Sequence, residues 1–132
     1  MKSLSIVAAT LAGMLFSSSA IAASVKFTVL NSFGATITLD SASCTSSSIS
    51  PPSSIFNGST ATFSSTTSGT TTLCTVRYKN GIYGCQFRVQ ISSVGAFVTA
   101  NAYNGSGSRP QCISTSEGYY TSNGYQGTFK MY

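Results

Sequence analysis

Residues 74–91 read CTVRYKNGIYGCQFRVQI, and this stretch decides the fold. Cys74, Val76 and Tyr78 alternate with Thr75 and Arg77, and beyond Asn80-Gly81 the residues Tyr83, Cys85, Phe87, Val89 and Ile91 alternate with Gln86, Arg88 and Gln90. A period of two sends alternate side chains to opposite faces of a strand, and Asn-Gly is the strongest short hairpin signal because both residues accept positive φ. The stretch therefore predicts a hairpin with Val76, Tyr83, Phe87, Val89 and Ile91 buried and Arg77, Gln86, Arg88 and Gln90 in water.

The same period extends in both directions. Val25, Phe27 and Val29 alternate with Lys26 and Thr28, and Ile37 and Leu39 with Thr36, Thr38 and Asp40, which predicts a strand pair turning around Ser32-Phe33-Gly34. Residues 44–60 are rich in Ser and carry Pro51-Pro52, which cannot donate to a ladder, so this connection should cross an end or edge of a sheet. Further strands are expected at 61–66, 94–103, 111–115 and 127–132. Asn-Gly dipeptides begin at Asn57, Asn80, Asn104 and Asn123, about two short strands apart, and their dissimilar flanks mark turns and not a repeat. No segment after residue 22 has helical periodicity. The predicted fold is all-β, an antiparallel β-sandwich of seven or eight strands.

Of the 132 residues, the first 22 read as an export leader: Lys2, an apolar run from Ile6 to Phe16, and a small-x-small cleavage site at Ala20-Ile21-Ala22. Residues 23–132 should then form one small domain, periplasmic or secreted, and no segment of it approaches the roughly 20 apolar residues of a membrane span. Cys44, Cys74, Cys85 and Cys112 suit two disulfides in an oxidising compartment; no pair has the close spacing of a zinc knuckle, and no metal is expected. If Asn80-Gly81 forms a type I′ turn, facing residues sum to 161 and Cys74 and Cys85 become diagonal neighbours. Diagonal partners lie roughly 7–8 Å apart, beyond the disulfide reach of about 4.4–6.8 Å, so each should bridge to Cys44 or Cys112. A four-residue loop from Tyr78 to Gly81 would instead oppose Cys74 to Cys85 and leave Cys44 with Cys112.

Seven Lys and Arg face two acids, Asp40 and Glu117, and there is no histidine; without Lys2 the chain carries a formal +4. No triad or carboxylate pair can be assembled, and Lys26, Lys79 and Lys130, formal partners for a serine, read as ordinary wet-face residues. Residues 105–108, Gly-Ser-Gly-Ser, lack the helix and lysine of a phosphate loop. Neither catalysis nor a cofactor is expected. Six dispersed cations make no visible patch for nucleic acid. The candidate binding residues lie in and near the aromatic tail: Tyr119, Tyr120 and Tyr125 beside Gly118 and Gly124, with Arg109 and Lys130. Tyrosines on glycine-bounded loops offer ring faces and hydroxyls to sugars or lipid headgroups, and a basic neighbour suits an anionic surface. The competing reading sends Phe129 and some of the tyrosines into the core.

From Val25 to Phe63 the chain shows Leu30-Asn31, Thr36-Ile37-Thr38-Leu39, Pro51-Pro52, Ile55, Gly58-Ser59 and Phe63, followed by Gly69 and Val76-Arg77-Tyr78. This pattern resembles aegerolysins and related bacterial crystal-toxin β-sandwiches. The resemblance implies a single-domain sandwich that binds membrane lipid, often as the recognition half of a two-component pore with a second protein. The function expected is thus that of a secreted, non-catalytic module binding membrane lipid or glycan. The Ser/Thr/Gly-rich composition also fits a fimbrial or matrix subunit, or a small exported hydrolase inhibitor.

Overall fold

The computed structural model describes residues 23–92, 95–121 and 124–132, the side chains of 116–121 excepted. The leader 1–22 and its cleavage site lie outside the described residues. Among the described residues nine strands follow in order: β1 (Ser24–Asn31), β2 (Ile37–Cys44), β3 (Ser54–Ile55), β4 (Thr60–Thr66), β5 (Thr72–Asn80), β6 (Tyr83–Ser92), β7 (Gly95–Asn104), β8 (Cys112–Thr121) and β9 (Gly124–Met131). They form a sandwich of a four-stranded sheet, β4-β1-β9-β8, and a five-stranded sheet, β3-β2-β5-β6-β7. Eight strands have seven residues or more, and β3 has two. All pairings are antiparallel except β1 with β9, which lie parallel at the centre of the four-stranded sheet.

Period-two alternation buries one face of each sheet. Val25, Phe27 and Val29 of β1, Phe129 and Met131 of β9, and Val76, Tyr78, Phe87 and Val89 of β5 and β6 have no exposed surface. Aromatic contacts join the layers: Phe27 stacks on Phe63 and Phe129 with centroids 5.3 and 5.5 Å away, and Phe129 meets Phe87 of the other sheet at 4.8 Å. Each such burial contributes about 1.5–3 kcal/mol, which makes the ring cluster the main glue between sheets. The hairpin faces follow the alternation. Val76, Phe87 and Val89 are buried and Tyr83 and Ile91 half-buried; Arg88 and Gln90 are exposed, with Arg77 and Gln86 half-exposed.

Three local expectations are corrected. β1 and β2 form as strands but not as a pair: they belong to different sheets, and residues 32–36 cross between them. The fully buried Asn31 fixes this crossing, its Nδ2 donating to Ala35 O and Ile55 O at 2.8 Å while its Oδ1 accepts from Phe33 N at 2.8 Å. With its backbone polar groups satisfied in this way, the corner needs no ladder between the two strands. The β5–β6 hairpin turns at Gly81-Ile82 and not at Asn80-Gly81, so Asn80 faces Tyr83 and facing residues sum to 163. Gly81 takes φ 59° at the first turn position, the type II′ pattern, while Asn80 stays in the strand and its Nδ2 donates to Thr36 O at 2.8 Å. A shift of two in the sum keeps every side chain on its face. β8 and β9 also extend further towards each other than expected, through Thr121 and from Gly124.

The disulfides obey the geometric argument with the register corrected. Cys44 bonds Cys74, its directly opposed partner between β2 and β5, within the five-stranded sheet. Cys85 of β6 bonds Cys112 of β8 with Cα atoms 5.6 Å apart, tying one sheet to the other. Pro51-Pro52 lies in the edge connection, where Pro52 O accepts from the Tyr78 hydroxyl at 2.7 Å. Among the described residues no helix is long and apolar enough to cross a membrane.

Candidate functional site at one end of the sandwich

The registers bring the ends of β1, β5, β7 and β9 together with the starts of β2, β4, β6 and β8. This end carries the 32–36 crossing, the 56–59 loop, the Gly81-Ile82 turn, the 105–111 loop and Tyr132. The 105–111 loop is anchored by backbone bonds between Gln111 and Tyr132 and between Ser106 and Arg109. A side chain at Gly105 would collide with the Arg109 carbonyl, so the closed loop requires glycine there.

Arg109 joins the 105–111 loop to the 32–36 crossing and to the start of β6. Its Nη2 donates to Phe33 O at 2.6 Å, and its guanidinium lies 4.0 Å from the Phe33 ring centre and 5.6 Å from that of Tyr83. Phe33 and Tyr83 themselves pack at 5.5 Å. Lys130, near the end of β9, has its ammonium 4.8 Å from the Tyr132 ring centre. Two large apolar side chains stand out on neighbouring loops of this end, Phe56 at 69% exposed and Ile82 at 55%.

Beside this end, two β-bulges shape the outer face of the five-stranded sheet. In β2, Leu39 pairs with Tyr78 and Ser41 with Arg77, leaving Asp40 as the extra residue; in β7, Ala102 pairs with Cys85 and Asn104 with Gly84, leaving Tyr103 as the extra residue. Bulges re-aim side chains. Here they turn the two toward each other over β5 and β6. Tyr103 lies across Gly84, where a Cβ would come within 2.5 Å of the ring, and its hydroxyl donates to Asp40 Oδ2 at 2.6 Å. Lys79 Nζ approaches Asp40 Oδ1 at 3.4 Å, and the Arg77 guanidinium sits 4.6 Å from the Tyr103 ring centre. The Tyr103 hydrogen bond, helped by Lys79 and Arg77, holds the Asp40 carboxyl below the usual carboxylate range against the opposing effect of desolvation. Burial first, then the hydrogen bond to Asp40 and the Asp40 charge, push the Tyr103 phenol well above its ordinary value. A recess of about 100 Å³ between Asp40, Lys79, Tyr83 and Tyr103 adjoins a shallower one of about 460 Å³ along the 105–110 loop.

The expected binding residues fall at both ends of the sandwich. Arg109 and Lys130 lie at this end. Tyr125 pairs with Val25 and Tyr119 at the opposite end, five residues or roughly 17 Å along β9 from Lys130. Tyr125 is only 9% exposed and packs in the core, because it is in step with Phe129 and Met131 on the inward face. The backbone of Tyr119 and Tyr120 runs beside it in β8, and their side chains lie outside the described residues. Sequence reasoning missed Phe33, Asp40, Phe56, Ile82 and Tyr103. The usable signals were local: the only aspartate of the chain in a strand, and a bulky apolar residue on each side of a turn glycine pair, Phe56 before Asn57-Gly58 and Ile82 after Asn80-Gly81.

No protein-family model matches the chain, and no curated protein does. Among solved structures it is similar to the lipid-binding protein Nakanori, with a TM-score of 0.65 and 12% identity over 96% of this chain and 79% of that one. At that identity the likeness is one of fold. It agrees at a coarse level with the sandwich implied by the aegerolysin resemblance in residues 25–78.

Proposed function

We propose that the protein is an exported, non-catalytic binding protein that docks the loop end of its sandwich on a membrane lipid surface. The observation that carries this reading is the placement of exposed Phe56 and Ile82 at the same end as Lys79, Arg109 and Lys130. Apolar tips enter the boundary between headgroups and acyl chains while cations stay with the phosphates, each basic residue adding about 1 kcal/mol on an anionic leaflet. The fold likeness to a lipid-binding protein and the aegerolysin resemblance support the same reading. Residues 1–22 act as the leader and 23–132 as the mature domain, and the two disulfides suit an oxidising compartment. With no histidine and two carboxylates in the sequence, acid–base chemistry has few groups to use. A second protein component, in the manner of two-component toxins, belongs to the same proposal.

Vesicle flotation tests it. The protein should float with phosphatidylcholine vesicles containing phosphatidylserine, and the double variant Phe56→Ser/Ile82→Ser should bind at least about tenfold more weakly while melting as the parent does. Parent protein that stays at the bottom with every vesicle composition, or a double variant that floats unchanged, would end this reading.

A further inference from the structure

The outer face of the five-stranded sheet carries a second constellation, away from the lipid-docking loops. Arg77 of β5 pairs with Gln86 of β6, and Arg88 of β6 pairs with Thr75 of β5, so the two arginines are diagonal neighbours roughly 7–8 Å apart at the backbone. Among the described residues each donates a hydrogen bond through its Nε: Arg77 to Gln86 Oε1 at 2.9 Å and Arg88 to Thr75 Oγ1 at 3.3 Å. Arg77 is further held over the Tyr103 ring. Among the described residues neither guanidinium forms an ion pair, the carboxylate of this face, Asp40, being taken by Lys79 and Tyr103. The Nη groups are the prongs that grip carboxylate, sulfate or phosphate in bidentate fashion. Next to them on β7, Asn101 continues the row of Gln86, and Phe97, 53% exposed, stands opposite Gln90.

From this arrangement we infer that the outer face of the five-stranded sheet binds a linear acidic glycan, with Arg77 and Arg88 gripping successive sulfate or carboxylate groups. The amides of Gln90 and Asn101 serve sugar hydroxyls, and the Phe97 ring offers a platform for a pyranose face. A glycan fits better than single-stranded nucleic acid because the amides Gln86, Gln90 and Asn101 stand among the cations Arg77, Lys79 and Arg88 in equal number, whereas a phosphate backbone is held by a denser basic track. The inference does not rest on lipid docking, since none of these residues belongs to the loop end.

Calorimetric titration of the disulfide-intact protein with a heparin hexasaccharide, an oligogalacturonate, neutral maltohexaose and a thymidine hexanucleotide tests it. At least one acidic oligosaccharide should bind, more weakly as salt rises, with maltohexaose at least tenfold weaker. Arg88→Gln, a change at an exposed position, should cost roughly tenfold, and Arg77→Gln should act in the same direction. Arg88→Lys should recover less than half of the loss in binding free energy, because it restores charge without the fork. Phe56→Ser/Ile82→Ser should titrate as the parent, so that failure of lipid docking and failure of glycan binding are separable. Binding of neither acidic oligosaccharide, equal binding of maltohexaose or the hexanucleotide, or an Arg88→Gln protein that melts and binds like the parent would overturn the inference. So would loss of binding to anionic vesicles by Arg88→Gln without loss of glycan binding.

Discussion

The two outer faces of the sandwich differ both in the regularity of their strands and in the side chains they carry. On the four-stranded sheet, β4, β1 and β9 run in unbroken register and present Thr28, Thr62, Ser64, Thr66 and Thr128 with Lys26 and Gln126. On the five-stranded sheet, bulges at Asp40 and Tyr103 break the register, and the face carries Arg77, Lys79, Arg88, Gln86 and Asn101. Hydroxyl side chains are what a wet strand needs and nothing more, since Thr packs well on a pleated surface without requiring a partner. Long cations held by their Nε groups, a tyrosine laid across a glycine and two re-aimed strands exceed that need. The contrast is the reason both proposed binding surfaces fall on the five-stranded sheet and its loop end.

The largest expected effect concerns what joins the two sheets. Cys85–Cys112 bridges them and Cys44–Cys74 lies within one, yet they close loops of similar separation, 27 and 30 residues. Loop entropy alone predicts nearly equal losses of about 3–4 kcal/mol on replacing either pair by Ala. Denaturant melts of Cys85→Ala/Cys112→Ala and Cys44→Ala/Cys74→Ala check this. Hydrogen exchange should separate the two, with opening of β8 confined to the variant lacking the inter-sheet bond. Identical exchange patterns would mean that the aromatic core alone holds β8 in place.

Next is Gly84→Ala, whose new Cβ would come within 2.5 Å of the Tyr103 ring. We expect a loss of about 1–3 kcal/mol, the usual cost of overpacking, with a change in tyrosine absorbance as the ring is lifted from Asp40. A neutral Gly84→Ala would show that the ring does not lie across the strand in solution.

A smaller effect follows from removing the Asp40 hydrogen bond with Tyr103→Phe. The folded state holds the Asp40 carboxyl below its reference value of 3.8, so its stabilising contribution is present above that pH and fades as pH falls through the lower folded value. The stability gap between parent and variant should therefore be open at neutral pH and narrow in acid, as read by urea melts at both. A gap that widens in acid would reverse the assigned sign. Least of all, Thr62→Ala on the opposite face should stay within about 0.5 kcal/mol of the parent, and a larger cost would give the hydroxyl face a role that the comparison denies it.

Much of the framework was legible in residues because it rests on local periodicity. Alternation identified the long strands, separated the wet and dry faces of β5 and β6, and survived a turn shifted by one residue because parity preserves the face. Cysteine count and spacing pointed to disulfides reaching out of the hairpin, and Pro51-Pro52 placed its segment at an edge. Those features depend on backbone sterics and on solvent, which act on each residue and its near neighbours.

Long-range pairing was decided elsewhere. That β1 lies parallel to β9, and that β2 leaves it for the other sheet, depends on a strand nearly a hundred residues away and on the side chain of Asn31, whose three hydrogen bonds exist only once the corner has formed. The aromatic tail read more readily as core than as binding face, and packing puts Tyr125 on the inward face, in step with Phe129. Asp40 and Tyr103 are 63 residues apart and look like ordinary strand residues until two bulges aim them at one another. A bulge is a property of a pair of strands, so no single stretch of residues announces it. The chain itself determines which faces are dry and which side chains are charged; only the assembled sheets determine which of those charges meet.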